Sequence, residues 1–143
     1  MPRLPIAFLA GLALAGCNDS STQPSNQQKI RVTSTEQQQL HQLDAINLAI
    51  GLKRAIYDAG YTCKRVTDAG FVGTWKNNDM WTAHCVYDNG AARDWAVFAG
   101  PDGSAQVRDC VDIRAGNRQL APAEAIPECT IKQRPKGNFN ELK

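Results

Sequence analysis

Apolar and polar positions follow three regimes along the chain. Residues 33–60 repeat with a period near that of an α-helix, residues 61–110 alternate with a period of two, and the flanks show neither. In the first regime Thr33 and Glu36 have the spacing of a capping box, and Gly60 suits a left-handed stop after the last turn. One long N-terminal helix is expected between them. Its apolar residues cover two flanks. Leu43, Ile46, Ile50 and Tyr57 form one; Leu48, Leu52 and Ile56, with the small Ala45, Ala49 and Ala59, form the other. Asp44, Asn47, Arg54 and Asp58 take the remaining stripe. A single sheet face covers an arc of roughly 100°, so the second flank needs another cover, either the 111–131 segment or a partner protein.

In the second regime Tyr61–Val66, Met80–Tyr87, Asp94–Ala99 and Ser104–Cys110 read as strands. Asp88-Asn89-Gly90 and Gly100-Pro101-Asp102-Gly103 read as hairpin turns. A two-residue Asn89-Gly90 loop would set Trp81 opposite Phe98 and Ala83 opposite Ala96 on the helix-packed face. Thr82, His84, Trp95 and Val97 would then lie on the other face. The second turn fits two or three residues, which leaves the facing of Val107 open. Residues 111–131, with Pro122 and Pro127, predict an irregular closing segment with one helical turn near Pro122–Ile126. The expected class is α+β, one long helix packed on a four-stranded antiparallel meander.

The flanks carry different information. Arg3 precedes an apolar run, Ile6 to Ala15, that is too short to span a membrane, which takes ~20 residues. It ends on Leu14-Ala15-Gly16-Cys17 and then turns polar. This pattern closely resembles the signal peptide and lipobox of bacterial lipoproteins. The resemblance implies cleavage after Gly16, acylation of Cys17 and a lipid-anchored place in the cell envelope. Asn18, rather than Asp, after the cysteine implies the outer membrane, facing the periplasm. A durable hold needs more than one acyl chain, which a lipoprotein cysteine carries. The sequence from Asn18 to Lys29 has no aliphatic or aromatic residue, so residues 17–32 are expected to be a flexible tether. One domain follows over 33–131, and the polar residues 132–143 are expected to be a mobile tail.

Setting Cys17 aside leaves Cys63, Cys85, Cys110 and Cys129, an even set suited to disulfides in an oxidising compartment. Four cysteines allow three pairings; Cys63–Cys85 with Cys110–Cys129 is preferred because both loops are short. No Cys-x-x-Cys occurs, and gaps of roughly twenty residues match no zinc signature. No metal or cofactor is expected. Loss of the leader removes Arg3 and leaves fifteen basic against fourteen acidic residues. A net charge of +1 gives no reason to expect nucleic acid.

Candidate chemistry is sparse. His41 falls on a polar stretch, where exposure to water is expected. His84 precedes Cys85, but neighbours on a strand face opposite ways, and a disulfide would remove the thiol. Asp109 and Asp112 could imitate a carboxylate dyad, although aspartates at such positions commonly form turns. No Gly-x-Ser-x-Gly elbow or phosphate-binding glycine loop is present. Among the aromatics, Trp81 and Tyr87 are expected in the core. Trp75, in the loop-like "GTWKNND", is expected to be exposed beside Lys76, and Arg93 with Trp95 would extend that patch. These four are the candidate binding residues. Three functions fit: a non-enzymatic envelope lipoprotein that binds an envelope protein or cell-wall glycan, an inhibitor or immunity protein, or a small hydrolase using carboxylates.

Overall fold

The computed structural model describes residues 33–139; the leader, the acylated Cys17 and the tether expected at 1–32 lie outside the described residues. The expected long helix is two helices. The N-terminal cap is Ser34, whose hydroxyl accepts from the Gln37 amide while the Gln37 side chain accepts from the Ser34 amide. Helix α1 (Thr35–Gln42) ends where Leu43 is extended, and α2 (Ala45–Asp58) begins afresh. Asp44 causes the restart: its carboxylate accepts from the Asn47 amide at 2.8 Å, a local bond that competes with helix continuation. The capping box is therefore Ser34/Gln37 and not Thr33/Glu36. Gly60 ends α2 as expected, at φ +86°, with the Tyr61 amide donating to the Ile56 carbonyl.

Four antiparallel strands follow in meander order: β1 (Arg65–Trp75), β2 (Asn78–Val86), β3 (Ala92–Ala99) and β4 (Ala105–Asp109). Strand β1 lies later than Tyr61–Val66, and the segment read as a loop around Trp75 is its end. Lys76 and Asn77 both take positive φ, 48° and 66°, and make a two-residue hairpin turn. Register slips near Asp68 and at Val72 mark bulges in β1, and these, with Gly70 and Gly73, erase the alternation that would have marked a strand. The β2–β3 register also differs from expectation. Its loop spends three residues, Asp88 to Gly90, with Gly90 at φ +79°, so Trp81 faces Val97 and Ala83 faces Trp95. One residue of slip exchanges the faces of β3.

The sheet is consequently buried on both sides. Leu48, Ala49, Leu52 and Ile56 of α2 pack on Val66, Ala69, Trp81, Ala83, Trp95 and Val97. Full burial of each large aliphatic side chain contributes ~1.5–3 kcal/mol. On the opposite face Val72, Met80, Ala96 and Phe98 meet Ile113 and Ile126. Ile113 belongs to α3 (Cys110–Asn117), a helix in the segment expected to be irregular. Asp109 caps it by accepting from the Val111 amide. The expected single turn near Pro122 is present, with the Ala125 amide donating to the Ala121 carbonyl. Disulfides join Cys63 to Cys85 and Cys110 to Cys129.

The 111–131 segment thus covers the far face of the sheet and not the second flank of α2, where Ile50 stays 55% and Tyr57 47% exposed. Residues 132–139, expected as a separate polar tail, are bonded to the body. Gln133 bridges to Phe71, Arg134 forms a two-pronged pair with Asp68, and the Ala45 amide donates to the Lys136 carbonyl.

Candidate interaction surfaces

The four residues singled out from the sequence do not form one surface. The bulge at Val72 turns Trp75 onto the α3 side of the sheet. There its ring lies 5.8 Å from that of Phe98, with the Lys76 ammonium 4.5 Å and the Arg108 guanidinium 5.8 Å from its centre. It is a half-buried packing residue with cations around it rather than a free anchor. Trp95 lies on the α2 side, 3% exposed, and cannot extend a Trp75 patch. Arg93 pairs with Asp109 at 3.3 Å and lies beside the Trp95 ring.

Both histidines have carboxylate partners. His41 is exposed as expected, yet its ring is engaged: Nε2 lies 2.9 Å from Oδ2 of the fully buried Asp79, and the ring packs on Phe71 and Trp81. Thr74 Oγ1 donates to the other Asp79 oxygen. The buried Gln37 amide beside them donates to the carbonyls of Asn77 and Ala99, each at 2.9 Å. This network pins α1 to the end of the sheet, satisfying polar groups that burial would otherwise penalise. It was not legible in the sequence, because Gln37 and His41 lie tens of residues before their partners and meet them only when α1 docks on the paired strands. His84 Nδ1 pairs with Asp94 across the β2–β3 ladder, and Cys85, oxidised, faces the other way. A cleft of about 370 Å³ brings His84, Asp94, Asp109 and Asp112 together. Within it Asp94 is engaged by His84, and Asp109 by Arg93 and the first turn of α3. Among the described residues no group of His, Cys, Asp or Glu could hold a metal ion.

Two openings with apolar walls lie beside β4. One, of about 340 Å³, runs between α1–α2 and the β3–β4 turn and is lined by Leu40, Leu43, Leu52, Ala55, Val97 and Ala105. The other, of about 400 Å³, wraps around the edge of the sheet. It reaches from Tyr61 and Val107 on the α2 side to Ile113, Gly116 and Leu120 on the α3 side. Tyr61, stacked on Trp95 with ring centres 4.4 Å apart, and Leu120 are each 42% exposed. Sequence reasoning missed this trough because its walls come from three separate elements.

No described helix is long and apolar enough to cross a membrane. The sequence matches no family model, no curated protein and no solved structure.

Proposed function

We propose that this chain is a lipid-anchored envelope protein whose disulfide-stapled domain binds another envelope component, a protein or cell-wall glycan, without transforming it. The anchoring half rests on Leu14-Ala15-Gly16-Cys17, the polar stretch after it and the even number of remaining cysteines. Acylation at Cys17 would hold the domain to the outer membrane, on its periplasmic side, through a tether of polar residues.

The binding half is carried by the trough at the sheet edge. Tyr61 and Leu120 stand exposed on either side of it, and large apolar side chains grouped around a concave surface mark contact sites. The structural engagement of His41, His84, Asp94 and Asp109 supports contact over catalysis.

Crosslinking in native membranes, capture through a C-terminal tag and mass spectrometry test this reading. One recurrent envelope component is expected, and it should be lost when Tyr61 and Leu120 are both changed to Ser. An empty capture, together with turnover of cell-wall polymer by the purified protein, would make it an enzyme instead.

A further inference from the structure

The two edges of the sheet are finished differently. At β1 the chain's own C-terminal strap answers Phe71. The Phe71 amide donates to the Gln133 carbonyl at 2.8 Å, and its carbonyl accepts from the Lys132 and Gln133 amides. At the other edge is β4. The Gly100 amide donates to the Ser104 carbonyl, and the register from that pair turns Gln106 and Arg108 toward β3. The N–H and C=O groups of Ala105 and Val107, with the N–H of Asp109, therefore point away from the sheet. Among the described residues no strand pairs with them.

Exposed edges are ordinarily blunted by proline, bulges or free charges. Strand β4 has no proline, and its register with β3 is regular. Its charges are engaged within the chain: the exposed Arg108 lies over the rings of Trp75 and Phe98, while Asp109 caps α3 and pairs with Arg93. The trough between Tyr61 and Leu120 occupies the place a further strand would fill. Arg108, Asp109 and Asp112 meet at one end of that trough, where Asp109 is paired with Arg93, so charges of both signs stand there.

The geometry points to β4 as a docking edge, where an extended segment of a partner protein adds as a fifth strand. Main-chain bonds to Ala105 and Val107 hold it, and an apolar side chain enters the trough between Tyr61 and Leu120. This rests on the binding-module reading above and supplies its mode. The N–H and C=O groups that no described strand pairs call for extended backbone as the occupant, and the walls at Tyr61 and Leu120 call for an apolar side chain on it. A second copy of the domain fits less well. Pairing of β4 with its own copy places a two-fold axis across the sheet, so each copy's Tyr61 and Leu120 walls would meet their equivalents.

The test uses the full acylated chain in detergent micelles and phage-displayed random linear peptides, with the enriched peptide then synthesised. Val107→Pro removes an N–H that faces away from β3 and so spares the ladder; Val107→Ala is its control. Enriched peptides should alternate apolar and polar residues and slow exchange of the Ala105 and Val107 amides. Binding should weaken about tenfold or more in Val107→Pro and stay within about twofold in Val107→Ala. N-methylation of the peptide amides that face β4 should abolish binding, whereas methylating the alternate set should not. That arm holds even where the proline variant fails to fold. Unchanged binding in a folded Val107→Pro, protection elsewhere on the domain or no enrichment would overturn the assignment. Dimers with slowed Val107 exchange and no added peptide would give the edge to a second copy and overturn it equally. In membranes, a partner still captured by Val107→Pro sinks the edge but keeps the binding reading, whereas no partner for the unaltered protein sinks the binding reading itself.

Discussion

One added methyl group at Gly70 should unfasten the C-terminal strap from the sheet. A Cβ there would stand 2.5 Å from the Gln133 carbonyl oxygen and 2.5 Å from Ile131 Cγ2. The Ile131 side chain can rotate, but the Gln133 oxygen is backbone and accepts from the Phe71 amide. Relief of the clash requires the strap to lift, which breaks the bonds that join Phe71 to Lys132 and Gln133. At about 0.5–1.5 kcal/mol net for each of these bonds, Gly70→Ala should cost about 2–3 kcal/mol. Gly73 is the internal control, because its Cβ would find only Pro127 at 3.9 Å and Lys132 at 4.0 Å. Gly73→Ala should be neutral or stabilise by up to about 1 kcal/mol through a less flexible unfolded chain. Urea denaturation measures both, and amide exchange at Phe71, Lys132 and Gln133 locates the damage. A Gly70→Ala protein within about 0.5 kcal/mol of the unaltered one, with those amides still protected, would refute this account of the strap.

Two further predictions concern other parts of the domain. Removing the second disulfide as Cys110→Ser with Cys129→Ser releases a loop of 19 residues and should cost about 3 kcal/mol. Exchange should quicken first around α3 and the Asn117–Ile126 bonds, and an equal loss of protection over α2 would show that the sheet's two faces do not unfold separately. At the β3–β4 turn, bonds from the Ser104 hydroxyl and amide hold the Asp102 carboxyl below its ordinary value of 3.8. A depressed carboxyl adds stability above its unfolded value and loses it as pH falls through the folded one. Ser104→Ala should therefore raise the Asp102 titration toward 3.8 and flatten that part of the acid loss, read by NMR titration. An unmoved Asp102 would mean the hydroxyl bond does not hold it.

Several elements were legible because short-range chemistry settles them. The spacing of Leu48, Leu52 and Ile56, with Gly60 behind them, specifies α2 and its buried flank. Strong alternation locates β2, β3 and β4, and short loops favoured the disulfide pairing that is present. Other elements needed the folded chain. Ser34 competes with Thr33 for the same cap, and the difference rests on which hydroxyl meets the Gln37 amide. Asn89-Gly90 suits both a two-residue turn and the end of a three-residue loop, and that single step reassigned Trp95, Val97, Ala96 and Phe98 between faces.

The sequence by itself determined the α+β class, an even set of four cysteines within the domain and the principal helix with its buried flank, since each depends on residues close together in the chain. Only the tertiary structure decided how surfaces are shared: His41 against Asp79, the strap over β1, and the β4 edge that no described strand pairs, beside Tyr61 and Leu120. Those meetings join residues tens of positions apart. They depend on register and bulges, where one residue of slip turns a side chain from core to water, and no local pattern in the sequence encodes that step.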